Sequence, residues 1–131
     1  MAEHPNAERM RRGFEAFAAG DFAALAELIA PDCTWRIRGA SAVAGEYRGR
    51  DAIFGLLRRT AELSGGSYRV EPQWIVASDE RLVIVYRAMG ERDGRALDID
   101  QALLCRLADG LLIEVDALPF DQYEFDAFWS S

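Results

Sequence analysis

The segment RALDIDQALLCRLADGLLIEVDALPF, residues 95–120, decides the fold. Apolar residues alternate with polar ones on both sides of Ala108-Asp109-Gly110, the pattern of two strands joined by a tight turn. Turn length settles which side chains share a face, because a one-residue slip sends every side chain to the other side. A three-residue connection with Gly110 in the left-handed conformation groups Gln101, Leu103, Cys105 and Leu107 with Leu111, Ile113, Val115 and Ala117. The opposite face then carries Asp98, Asp100, Ala102, Leu104 and Arg106 with Leu112, Glu114, Asp116 and Leu118. One face is apolar except for Gln101; the other is mixed. A two-residue Asp109-Gly110 turn would carry Asp116 to the apolar set, so the three-residue connection is preferred.

Outward from this hairpin, the chain reads as helices first and strands later. Ala7, Met10, Phe14 and Phe17 recur at helical spacing and predict a helix over 7–19, weakened at Gly13 and ended by Gly20. Asp21 suits the cap of a second helix with Phe22, Leu25, Leu28 and Ile29 inward, and Pro31 stops it. Cys33–Ile37 reads as a short strand, and residues 39–50 as a glycine-punctuated loop in which Tyr47 is the one large aromatic. A third helix is expected near 50–63, with Asp51 at the positive end of its dipole. Tyr68–Ala77 contains Pro72 and therefore reads as an edge or bulged strand. Leu82–Met89 is a further strand, and Gly90–Gly94 turns the chain into the hairpin. Asp121 and Glu124 have capping-box spacing for a last short helix, with Phe120 and Phe125 as a hydrophobic staple. The order predicts an α+β fold in one domain over 1–131, with helices on one face of a mostly antiparallel sheet.

Composition narrows the chemistry. The 131 residues carry a formal net charge of −7, and all basic residues apart from His4 are arginine. No basic stripe suggests nucleic acid, and no apolar run suggests a membrane, so a cytoplasmic location is expected. Without lysine there is no Schiff-base chemistry. The single histidine lies near the N-terminus, which argues against Ser-His or Cys-His nucleophiles and against a His-rich metal site. Cys33 and Cys105 each fall in a strand among apolar neighbours and read as buried thiols. No cofactor or metal is expected.

Several stretches resemble the nuclear-transport-factor-2-like superfamily. Phe14-Glu15-Ala16-Phe17-Ala18-Ala19-Gly20-Asp21 is similar to its opening helix and turn. Trp35-x-x-x-Gly39, followed by residues 45–53 (GEYRGRDAI), resembles its SnoaL-like or ketosteroid-isomerase-like branch, as do Asp109-Gly110, Ile113-Glu114 and Phe120-Asp121-Gln122-Tyr123. The resemblance implies a conical α+β barrel with an apolar cavity. It also implies a homodimer formed through the outer sheet face, and either ligand binding or polyketide-cyclase-like, isomerase or hydrolase activity. Ketosteroid isomerase uses an Asp base with a Tyr and a protonated Asp. At the matching positions this chain has Ile37, Gly13 and Leu103, so that mechanism is not expected.

The candidate ligand contacts are Phe14, Phe17, Trp35, Tyr47, Tyr86, Gln101, Leu103 and Val115. They suit a small hydrophobic molecule gripped by a few polar tips, and most would serve equally as core. Gln101 is the sharpest, because a lone amide on an apolar face needs a partner: Tyr86, the backbone or a ligand oxygen. Tyr86 and Asp116 are the candidate catalytic groups, with Asp116 expected outside the pocket if the three-residue connection holds. Two functions follow: a carbonyl or epoxide compound transformed without a cofactor, with Tyr86 and Gln101 polarising an oxygen, or a non-catalytic binding or dimerisation module.

Overall fold

The structure, a computed structural model, describes residues 3–130. Helix α1 (Pro5–Ala19) ends at Gly20, whose φ of 70° no β-carbon obstructs, and Asp21 then caps α2 (Phe22–Ala26) by accepting from the Ala24 amide. Strand β1 (Ile29–Ile37), strand β2 (Gly45–Arg48) and helix α3 (Arg50–Leu63) follow. Four strands complete the sheet: β3 (Arg69–Ala77), β4 (Arg81–Arg92), β5 (Arg95–Ala108) and β6 (Leu111–Pro119). Helix α4 (Gln122–Phe128) closes the chain, capped by Asp121 as its spacing predicts.

The sheet order is β2-β1-β6-β5-β4-β3, with all neighbours antiparallel except β1 and β6. It is an α+β, cone-like fold, but the sheet is not a closed barrel: β2 and β3 are its edges. The predicted edge position and bulge of β3 are both present, the bulge falling between Pro72 and Trp74. Helices and sheet enclose a core in which Ile53, Ile84, Ala88, Cys33 and Val115 have no solvent exposure.

Five expectations are corrected. The hairpin turn is Asp109-Gly110 alone, with φ of 52° and 79°, and Ala108 pairs with Leu111. A bulge follows at once: Leu107 pairs with Leu112, but Arg106 pairs with Glu114, leaving Ile113 as the extra residue. Leu112, not Leu111 or Ile113, is therefore the buried residue beside Leu107, while Leu103, Cys105, Val115 and Ala117 share the inner face as expected, paired as Cys105–Val115 and Leu103–Ala117. The preceding turn is Asp93-Gly94, so β4 runs on through Gly90.

The second helix stops at Ala26 instead of reaching Pro31. Pro31 lies inside β1, where pairing with β6 is interrupted between Ile29 and Thr34; a residue without an N–H fits such a gap. The glycine loop contains β2, which pairs with β1 through Trp35–Tyr47. Phe120 is 64% exposed, so it does not bury itself as the outer half of a staple.

Candidate functional site

Beneath α1 and α3 lie two adjoining chambers. The larger, about 100 Å³, is bounded by Met10, Phe14 and Phe17 of α1, Leu28 and Val70. The smaller, about 60 Å³, is bounded by Thr60 of α3, Val43, Gln101, Phe125 and Trp129. Trp35, Leu57, Tyr68, Tyr86 and Leu103 border both and form the waist between them.

Local sequence explains the shape. Gly13 is buried in α1, and a β-carbon there would come within 2.8 Å of Leu28 Cδ1, so glycine lets Leu28 form the chamber wall. Gly90 allows a similar approach: a β-carbon there would meet Tyr68 Cα at 3.3 Å and Phe128 Cζ at 3.2 Å. The backbone at Tyr68 can then carry its ring inward, edge-on to Phe17 and to Trp129. Phe14 packs edge-on against Tyr86 with ring centres 5.4 Å apart.

The polar groups of this cavity are Tyr68 and Tyr86 at the waist and Gln101 and Thr60 beside it in the smaller chamber. Tyr86 and Gln101 are directly opposed on β4 and β5, which puts their side chains on one face and in reach of each other. The Gln101 amide nitrogen donates to Tyr86 Oη at 2.8 Å. Its carbonyl oxygen Oε1 is buried and has no hydrogen-bond partner, in a residue only 2% exposed. Leaving such an oxygen unpaired costs about 1–3 kcal/mol. Burial holds the Tyr68 and Tyr86 phenols well above their ordinary pKa, only partly offset by the nearby Gln101 amide. Both therefore remain protonated. No carboxylate, histidine or arginine lines either chamber. Among the described residues, no group of three or more His, Cys, Asp or Glu is placed to hold a metal ion.

Most of the residues read from the sequence meet here: Phe14, Phe17, Trp35, Tyr86, Leu103 and Gln101 all line the cavity. Two do not. Tyr47 donates its hydroxyl to the Val43 carbonyl at 2.7 Å and borders neither chamber. Val115 is fully buried between Trp35 and Cys105 in the sheet and packs as core. Asp116, the second catalytic candidate, is on the outer face, 3.7 Å from both Arg36 and Arg38. The bulge at Ile113 keeps it there despite the two-residue turn. Gly13, Ile37 and Leu103 line the cavity and bring no titratable group to it.

Tyr68 was missed. It precedes β3, and its signals were the aromatic residue just after Gly65-Gly66 and the glycine at position 90 that makes room for it. The two thiols are free and buried, as their apolar flanks suggest.

A helix-covered curved sheet with an apolar cavity and a small polar waist defines a class of small α+β domains, and comparison with known proteins identifies it. Residues 10–115 match the SnoaL-like domain family, and the chain belongs to that family. It is similar to an uncharacterised protein of Mycobacterium tuberculosis, 31% identical over 131 residues and covering 99% of this chain and 100% of the relative. Among solved structures it is similar to Bal32a from a soil-derived mobile gene cassette, with a TM-score of 0.91, 34% identity and 95% of each chain covered. It also shares its fold with a nuclear-transport-factor-2-like protein of unknown function from Burkholderia pseudomallei. That match has a TM-score of 0.84 and 21% identity, covering 96% of this chain and 98% of the other. Among the described residues, no helix is long and apolar enough to cross a membrane.

Proposed function

We propose that this protein binds a small, uncharged, largely apolar molecule without a cofactor, holding one of its oxygens at the waist, beside Gln101, Tyr86 and Tyr68. The observation that carries this reading is the buried, unpartnered Gln101 Oε1. A buried polar atom without a partner inside an apolar cavity is a cost that a ligand hydrogen bond would offset. Binding is favoured over proton-transfer catalysis because the residues around the chambers include no group able to serve as a base near neutral pH. The phenols and the amide are suited to orient an oxygen, and cyclisation, isomerisation or hydrolysis of a carbonyl or epoxide compound would need its base from elsewhere.

Calorimetric titration of 1-phenylethanol, whose hydroxyl can donate to Gln101 Oε1, into the ligand-free protein tests the reading, alongside native mass spectrometry of freshly purified protein. Saturable binding is expected, weakened roughly tenfold in Gln101→Leu, the equivalent of one hydrogen bond of about 1.4 kcal/mol. Equal affinity in the variant would remove Gln101 from the site. The absence of both binding heat and a retained compound in the wild type would overturn the reading altogether.

A specific observation also favours self-association through the outer sheet face. Trp74, Val76 and Leu104 are 48%, 64% and 45% exposed. The last two lie in one row across the sheet, both facing Val83 in register. The Arg87–Asp98 and Arg106–Glu114 ion pairs flank this apolar strip. An apolar centre with a charged rim fits a second copy of the chain better than solvent.

A further inference from the structure

We infer that the molecule this cavity takes is a neutral compound no larger than one ring with a short arm, bearing a carbonyl and a hydroxyl on neighbouring carbons. The inference rests on the reading of the cavity as a ligand site and goes beyond it by fixing size, charge and polarity.

Size follows from the volumes. The larger chamber is about 100 Å³ and the smaller about 60 Å³. An apolar protein cavity that holds one benzene molecule measures about 150 Å³. The two chambers together therefore match one ring with a short substituent, and a polycyclic skeleton does not fit between α1, α3 and the sheet. Charge follows from the walls. No arginine lines the chambers to receive a carboxylate, and no carboxylate lines them to receive an amine. An ionised ligand would be desolvated without a counter-charge.

Polarity follows from what the waist leaves over. One Gln101 N–H is already spent on Tyr86 Oη, so the Tyr86 hydrogen must find its acceptor elsewhere. Gln101 Oε1 is an acceptor with nothing to accept. Tyr68 lines the smaller chamber together with Tyr86 and Gln101. The site thus offers a donor and an acceptor from two side chains already 2.8 Å apart. A simple ketone would satisfy the tyrosine and leave Gln101 Oε1 orphaned. A simple alcohol would satisfy the amide oxygen and leave the phenol with a poorer acceptor. Carbonyl and hydroxyl oxygens on neighbouring carbons meet both needs at once.

Four probes separate these claims by calorimetry: 2-hydroxy-1-phenylethanone, acetophenone, benzoylformate, and the two-ring 2-hydroxy-1,2-diphenylethanone. With wild-type protein, 2-hydroxy-1-phenylethanone is expected to bind at least tenfold tighter than acetophenone and at least a hundredfold tighter than benzoylformate. In Gln101→Leu, shown to be folded by circular dichroism, the gap between the first two should close. Equal affinity of those two for the wild type would overturn the hydroxyl assignment while leaving the cavity a ligand site. Tighter binding of benzoylformate would overturn the charge argument, and tighter binding of the two-ring probe the size argument. If none of the neutral probes binds, the proposed function fails and this inference fails with it.

Discussion

Replacing Gln101 with methionine and Tyr86 with phenylalanine together, so that neither partner of their bond is left buried and unpaired, should stabilise the ligand-free protein. Gln101 is 2% exposed and makes one side-chain hydrogen bond, to Tyr86, while its carbonyl oxygen makes none. Losing the bond costs about 1 kcal/mol, and removing the orphaned oxygen returns about 1–3 kcal/mol. Methionine is close in volume and unbranched, so repacking should cost little. The balance is a gain of roughly 1 kcal/mol, which for a domain of this length raises the melting temperature by about 3–4 °C. Urea unfolding of protein stripped of bound molecules measures it as a higher midpoint at unchanged slope. Stripping matters because a ligand held only by the native wild type adds stability by mass action and reverses the order. A loss of 1 kcal/mol or more in the stripped variant would refute the reasoning. It would mean that the amide oxygen is already paired in solution and holds nothing in reserve for a ligand.

Other perturbations separate the parts of the structure. Trp129 is 1% exposed and packs edge-on against Tyr68 and Phe128, so Trp129→Ala should cost about 3–5 kcal/mol in chemical denaturation. A loss below 1 kcal/mol would mean that α4 is not integral to the cavity wall. Leu104→Glu on the outer face should convert a dimer to a monomer in analytical ultracentrifugation while leaving 1-phenylethanol affinity unchanged; an unaltered sedimentation coefficient would move the interface elsewhere. Stability should fall in alkali. Burial, reinforced by Asp32 and Glu114, pushes the Cys33 thiol up to about 11 from an ordinary 9.0, and burial also raises Cys105 and both waist tyrosines. With folded values above unfolded ones, the unfolded chain releases these protons first. The contribution is therefore complete below about pH 9 and is lost as pH rises toward 11 and beyond. Urea midpoints between pH 8 and 11 should fall, and fall less steeply in Cys33→Ala; a flat wild-type profile would contradict the burial of these groups.

The hairpin explains why its faces were legible while its turn was not. Alternation reports parity: which residues point the same way once the chain has reversed. A three-residue connection and a two-residue turn followed by a one-residue bulge each insert one extra residue, on opposite strands, so the faces beyond residue 113 agree although the cross-strand partners shift by two. Both put Asp116 outside and Val115 and Ala117 inside. Only residues 111–113 differ, and there Leu111, Leu112 and Ile113 are all apolar, so the pattern had no contrast with which to place the insertion. The positive φ at Asp109 as well as Gly110 is the local preference of an Asp-Gly pair in a hairpin turn, a cue that favours the two-residue form. At β1 the cue pointed the wrong way. Pro31 reads as the end of a helix, but a strand whose ladder is interrupted between Ile29 and Thr34 accommodates it as well. Strand β2 was hidden by its setting, since four residues within a glycine-rich stretch carry too little alternation to separate an edge strand from a loop.

At the site, sequence reading framed Gln101 as bonded either to Tyr86 or to a ligand, as though the two excluded each other. The amide has two ends, and only one is occupied. Its nitrogen is held by Tyr86 across the β4–β5 pair, which fixes the plane of the group and so directs the free oxygen. The internal bond thus orders the acceptor before anything binds, lowering the entropy a ligand would otherwise lose in organising it. The same logic explains why Tyr68 was overlooked. Its place at the waist depends on the empty space at Gly90, a residue paired with Leu97 deep in the sheet and far from it in sequence. No local pattern encodes that approach. A Gly90→Ala change would push against Tyr68 Cα at 3.3 Å and Phe128 at 3.2 Å, both parts of well-packed structure. It should therefore act on the waist through Tyr68, weakening ligand binding even though residue 90 borders neither chamber.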